Sequence, residues 1–91
     1  MFKLTSLVPN VAKGFQITLA NGYSVSVQWG VSNYCDNYSL SGYDKQAPDS
    51  STAETAIIKP DGSFLRYKED DVQARQTPAD VVKTLNYAAS L

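Results

Sequence analysis

The sequence predicts an α+β domain: a small antiparallel sheet of about four or five strands, made from two hairpins, with one C-terminal helix packed on one face. Three observations carry this. Residues 15–29 alternate apolar and polar side chains with period two around a short Asn-Gly segment. Residues 52–68 form a second apolar pair of segments around Pro60-Asp61-Gly62. Residues 77–90 change to helical spacing behind a capping signature.

The first hairpin spans residues 14–29. Phe15, Ile17 and Leu19 alternate with Gln16 and Thr18, and Tyr23, Val25, Val27 and Trp29 alternate with Ser24, Ser26 and Gln28. β-Branched and aromatic residues in this period form half-buried strands. Opposed residues share a face of the sheet, so the apolar pattern selects the register. A two-residue Asn21-Gly22 turn would oppose Leu19 to Ser24 and Ile17 to Ser26, mixing both faces. A three-residue Ala20-Asn21-Gly22 loop opposes Leu19 to Tyr23, Ile17 to Val25 and Phe15 to Val27, which gathers the apolar residues on one side. That loop ends in a left-handed residue at a G1 bulge, and Gly22 stands at that position. The bulged register is therefore predicted.

Residues 30–51 are a polar, turn-rich connection interrupted by Tyr34, Tyr38, Tyr43 and Leu40. A connection of this length in so short a chain is usually functional. In the second hairpin, Pro60 presets φ for a type I turn and Gly62 accepts a positive φ. A 60–62 loop opposes Ile57 to Leu65 and Ile58 to Phe64. Apolar residues then lie on both faces, which predicts a central position or a covered second face.

Residues 69–76 read as a polar connector with room for one short helical turn. Thr77-Pro78-Ala79-Asp80 follows, with a hydroxyl N-cap, proline at N1 and an acid at N3. A helix is predicted over 78–90, with Val81, Val82, Leu85, Ala88 and Ala89 as its sheet-facing stripe. Residues 2–8 can add an edge strand that Pro9 ends.

The 91 residues support a single domain, 1–91, which is marginal unless strands and helix pack well or a second subunit helps, so a homo-oligomer is within expectation. Eight basic and nine acidic residues leave a net charge of −1, which argues against direct DNA binding and against an acidic DNA mimic. With no histidine, the commonest general base and metal ligand is missing. A lone cysteine forms no internal disulfide and fits a reducing compartment. No signal peptide is expected from the N-terminal residues, and no stretch approaches the roughly 20 apolar residues of a bilayer span. The expected location is cytoplasmic, with no membrane partner.

Residue chemistry by itself names no activity. Cys35 has Asp36 beside it and no base, so it reads as a small apolar residue and not as a nucleophile. Asp36, Asp44 and Asp49 with Asn33 and Asn37 lack the spacing of a calcium loop and are explained by Asx turns, so no metal site is assigned. Glu69-Asp70-Asp71 reads as a solvated connector. No glycine-rich phosphate loop is present. Lys59, Arg66 and Lys68 form a candidate anion-binding strip, with Arg66 and Lys68 on one face of the fourth strand. No catalytic residue and no cofactor are expected. The strongest feature is the aromatic connection: Tyr34, Tyr38 and Tyr43, with Asp36 and Asn37, are the candidate partner-binding residues, since tyrosine supplies amphipathic contact area at low entropic cost. The same tyrosines serve equally well as a roof over the core beside Trp29.

The run Leu19-Ala20-Asn21-Gly22-Tyr23-Ser24-Val25-Ser26-Val27-Gln28-Trp29-Gly30, continuing through Asn33-Tyr34-Cys35-Asp36-Asn37, resembles a segment of a family of small, uncharacterised tailed-phage accessory proteins. The resemblance covers about residues 15–37. It departs from the family pattern at Leu19, where an aromatic is expected, and Trp29 falls at a position that varies. It implies an early-expressed, dispensable phage product acting in the host cell cytoplasm, and it carries over neither a biochemical activity nor catalytic residues. The resulting expectation is a non-enzymatic, anti-CRISPR-type or similar inhibitor that binds a host defence protein. The alternatives are a sponge that sequesters a nucleotide-derived defence signal, with tyrosines stacking on its base and Lys59, Arg66 or Lys68 holding its phosphates, and a minor virion or morphogenesis component.

Overall fold

The structure, a computed structural model, describes residues 2–5, 12–30 and 50–91. Six strands and one helix follow in chain order: β1 Phe2–Thr5, β2 Ala12–Thr18, β3 Ser24–Gly30, β4 Ala53–Ile58, β5 Phe64–Leu65, β6 Gln73–Gln76 and α1 Pro78–Ala89. The strands form an antiparallel sheet in the order β1-β2-β3-β4-β5, with β6 also paired to β4. β5 pairs with Ile57 and Ile58, whereas β6 pairs with Ala53 and Thr55. The two short strands thus share one edge row, interrupted by residues 66–72. The fold is the predicted α+β arrangement, a small antiparallel sheet with a C-terminal helix.

The first hairpin adopts the bulged register. Ile17 opposes Val25 and Phe15 opposes Val27. The Leu19 N–H donates to Tyr23 O at 2.8 Å, the Gly22 N–H donates to Leu19 O at 2.9 Å, and Gly22 has φ +89°. The second hairpin repeats the loop. Lys59 N–H donates to Ser63 O at 2.7 Å, Gly62 N–H donates to Lys59 O at 2.9 Å, and Gly62 has φ +90°. As the two-faced apolar pattern required, β4 is interior, with β3 on one side and the β5/β6 row on the other.

One face of the sheet and α1 form the core. Val25 and Ile57, which are cross-strand partners, are fully buried, as is Ala88 on the helix, with Val27 and Ala53 beside them. Phe15, Ile17, Leu19, Tyr23, Trp29, Leu65, Tyr67, Val81 and Leu85 pack around this centre half-buried. The helix starts at the predicted capping box: Asp80 N–H donates to Thr77 Oγ1 at 3.2 Å and Thr77 N–H donates to Asp80 Oδ2 at 2.9 Å.

Three expectations are corrected. First, the helix rotates its stripe: Val81, Thr84, Leu85 and Ala88 face the sheet, while Val82 and Ala89 are exposed. Thr84 is fully buried because its hydroxyl donates to Asp80 O at 3.0 Å, so the side chain needs no other polar partner and its methyl packs inward. Second, the return strand of the second hairpin, expected as the fourth strand and found as β5, ends at Leu65, so Arg66 and Lys68 do not share a strand face. Third, residues 69–76 are no helical turn. Tyr67 and Asp70 bridge across a two-residue turn whose centre, Lys68 and Glu69, has φ +53° and +69°. Two non-glycine residues in that region need outside support. Gln73 supplies it: its Nε2 donates to Tyr67 O at 2.6 Å and Asp70 O at 2.8 Å. The same buried glutamine begins β6. Between Ala53↔Gln76 and Thr55↔Gln73 β6 spends one residue more than β4, and Arg75, at φ +50°, lies in that bulge.

Candidate functional site

The apolar side chains of the sheet are not fully covered by α1. At the helix N-terminal end a groove of about 300 Å³ remains. Its floor is Phe15 on β2, Val27 and Trp29 on β3 and Ala53 on β4; Val81 and Pro78 on α1 form one wall, and Gln76 together with residues 50–52 forms the rest. The local sequence dictates this shape. Proline at the first helical position and the Thr77 cap start α1 directly after β6, and from this first part of the helix Val81 packs against the core. Ala53, the small residue at the start of β4, leaves the space that Trp29 borders from the opposite side.

The groove is mainly apolar, with Gln76 and residues 50–52 as its polar border. Gln76 Nε2 donates to Ala74 O at 2.9 Å, while its Oε1, shielded from solvent, accepts no hydrogen bond among the described residues. The Thr52 N–H donates to Ser50 Oγ at 3.4 Å, turning the chain into β4. The lining is predominantly apolar side chain, a surface of the kind that accommodates an apolar or aromatic anchor. Its volume lies at the lower limit of about 300–1,000 Å³ for small-molecule pockets. Trp29 near the end of β3 and residues 50–52 just before β4 both line the groove.

The candidate partner-binding residues Tyr34, Asp36, Asn37, Tyr38 and Tyr43 lie outside the described residues, as do Cys35, Asn33, Asp44, Asp49 and Pro9. The candidate anion-binding residues are described, and each has a different setting. Lys59 flanks the 60–62 loop and its charge acts on Asp61. Arg66 lines a separate shallow hollow with Asp70 and Asp71. Lys68 lies over the Tyr67 ring, 5.3 Å from its centroid, and its charge acts on Asp80. Tyr67 in turn stacks on Tyr87 with centroids 4.6 Å apart and planes inclined by 22°. Each cation therefore has carboxylates in its field, which weakens the case for one phosphate-binding strip. Among the described residues no group of three or more His, Cys, Asp or Glu side chains is placed to hold a metal ion.

The carboxylates with displaced titration are structural. The Thr77 backbone N–H, then its hydroxyl, hold Asp80 below the ordinary aspartate value. The Ser63 hydroxyl, then its backbone N–H, do the same for Asp61. Both serve local caps away from the groove floor.

Of the groove residues, Trp29 was visible in the sequence only as the end of a strand pattern. It is the one tryptophan of the chain, and it stands where the regular alternation gives way to the long polar connection. Gln76 carried no signal, because its role depends on β6, which the polar composition of 69–76 concealed. No helix of the described residues is long and apolar enough to cross a membrane. No family model, no curated protein and no solved structure matches the chain.

Proposed function

We propose that this chain is a phage-encoded, non-enzymatic inhibitor that binds a host defence protein, and that the groove beside Trp29 receives the partner's anchoring side chain. The observation that carries the reading is the apolar groove lined by Phe15, Val27, Trp29, Ala53 and Val81. A half-buried tryptophan in such a groove is the type of residue that dominates binding energy. The resemblance of residues 15–37 to small tailed-phage proteins supplies the biological setting.

The test is a cell assay. Bacteria carrying a CRISPR or comparable defence system and expressing the chain are challenged with a sensitive phage. Plaque formation should be restored by the natural chain and lost again with Trp29→Ala, and the affinity-purified chain should retain a component of that defence system. Full defence in cells expressing the soluble chain, across several systems, would reject the reading.

A second reading, the nucleotide sponge, has one observation in its favour: the Tyr67–Tyr87 stack with Lys68 over it is an aromatic and cationic surface of the kind that bases stack on. Calorimetry against cyclic nucleotides and ADP-ribose derivatives separates the two, because saturable binding abolished by Tyr87→Ala belongs to the sponge alone.

A further inference from the structure

Asn21 is the one asparagine of the chain followed by glycine. It is exposed, yet every polar atom of its amide is engaged. Its Oδ1 accepts from the Tyr23 N–H at 3.1 Å, and its Nδ2 donates to Ala88 O at 2.8 Å and Leu91 O at 3.1 Å. The tip of the first hairpin therefore holds the C-terminal end of α1 and the residue beyond it, adding a side-chain donor to Ala88 O, which also accepts a long bond from the Leu91 N–H at 3.4 Å. The equivalent loop 60–62 uses Asp61 Oδ1 only for the Ser63 N–H and hydroxyl, at 2.9 and 2.6 Å.

We propose that Asn21 is a spontaneous modification site guarded by the helix end. The chemistry needs only water. The Gly22 backbone nitrogen, having lost its proton, bonds to Asn21 Cγ; Nδ2 takes up a proton and leaves as ammonia, closing a five-membered imide. Water then adds to either imide carbonyl. Breaking the bond between Cγ and the Gly22 nitrogen leaves an aspartate side chain at position 21, and breaking the main-chain bond leaves an isoaspartyl linkage. Glycine favours the closure because it has no side chain to crowd the attacking nitrogen.

In the folded chain each atom that must move is held. The Gly22 N–H is committed to Leu19 O, and both the carbonyl oxygen and the departing nitrogen of Asn21 are hydrogen-bonded. Closure thus proceeds from a state in which the end of α1 has let go. The product cannot restore the contact: a carboxylate offers no donor to Ala88 O and Leu91 O and places negative charge at the negative end of the helix dipole. Release of the helix end and modification reinforce one another, in one direction only.

The test compares the intact folded chain with the same chain in concentrated urea, both at mildly alkaline pH, followed by peptide mapping in the mass spectrometer. Asn86, followed by the bulky Tyr87, is the internal control. Position 21 should react about tenfold or more slowly in the folded chain, as expected for a site reached only by opening, while Asn86 stays unmodified in both. The folded Asn21→Asp variant should exchange its Ala88 to Ser90 amide hydrogens about tenfold faster than the natural chain by the same relation. Equal reaction rates with and without urea, or unchanged exchange in the last turn of α1, would overturn the proposal.

Discussion

At one end of the sheet the first hairpin tip holds the C-terminal end of α1 through specific hydrogen bonds, whereas at the other end the first turn of α1 borders an open apolar groove. The tips lie side by side: a Cβ on Gly22 would come within 3.3 Å of the Pro60 ring. Both use the same three-residue loop and glycine φ near +90°, but only the 20–22 tip spends its side-chain donor on the helix. The groove end has the reverse character, with Trp29 half-buried and Gln76 Oε1 lacking a partner among the described residues. The contrast teaches that one end is closed by hydrogen bonds that fix the fold, while the other leaves apolar side chains uncovered, and the proposed binding rests on that open end.

The largest expected effect falls at the open end. Trp29→Ala should weaken binding of the captured defence protein by at least about 30-fold, the loss of an interface anchor worth roughly 2 kcal/mol, measured by titration calorimetry. An equal loss on altering either hairpin tip would erase the distinction between the ends.

Asn21→Asp should then cost about 2 kcal/mol of folding stability in urea titrations, since it removes the donors to Ala88 O and Leu91 O and adds a negative charge at the negative end of the helix. Binding at the groove should not change beyond the fraction unfolded.

The tips can be compared directly by alanine. Gly62→Ala meets no atom within 4 Å and should cost only the backbone strain of the left-handed region, about 1–2 kcal/mol. Gly22→Ala adds the crowding against Pro60 to that strain and should cost more. Equal denaturation midpoints would show that the two tips are not in contact.

The smallest effect concerns acid. Asp61 and Asp80 have folded values held below their unfolded ones, so their contribution is complete above about pH 4 and is lost as the pH falls through the lower folded values. Asp80→Asn should flatten the loss of helix stability below about pH 4, read as urea midpoints over an acid series.

How much of this was legible follows from where each signal lies. The opposition of Ile17 to Val25, the bulge at Gly22 and the Thr77–Asp80 cap depend on neighbours within one hairpin or one turn, and the sequence displays them in full. β6 was hidden because Gln73 gains its place from carbonyls of Tyr67 and Asp70, a tertiary use of a polar side chain that hydrophobic periodicity does not register. Thr84 was hidden for the same reason, since its hydroxyl is satisfied one turn back and then behaves as apolar. The groove was not legible at all. It is a gap between Ala53, Trp29 and Val81, which come from three separate elements, and its outline depends on the direction in which α1 leaves β6.

The most direct test is hydrogen–deuterium exchange of the full chain, free and bound to the captured host protein. Protection gained at Trp29 and Gly30, at residues 50–53 and at residues 76–81, with the 20–22 and 60–62 loops unchanged, is the predicted outcome. Protection confined to the hairpin tips, or none at the groove, would contradict it.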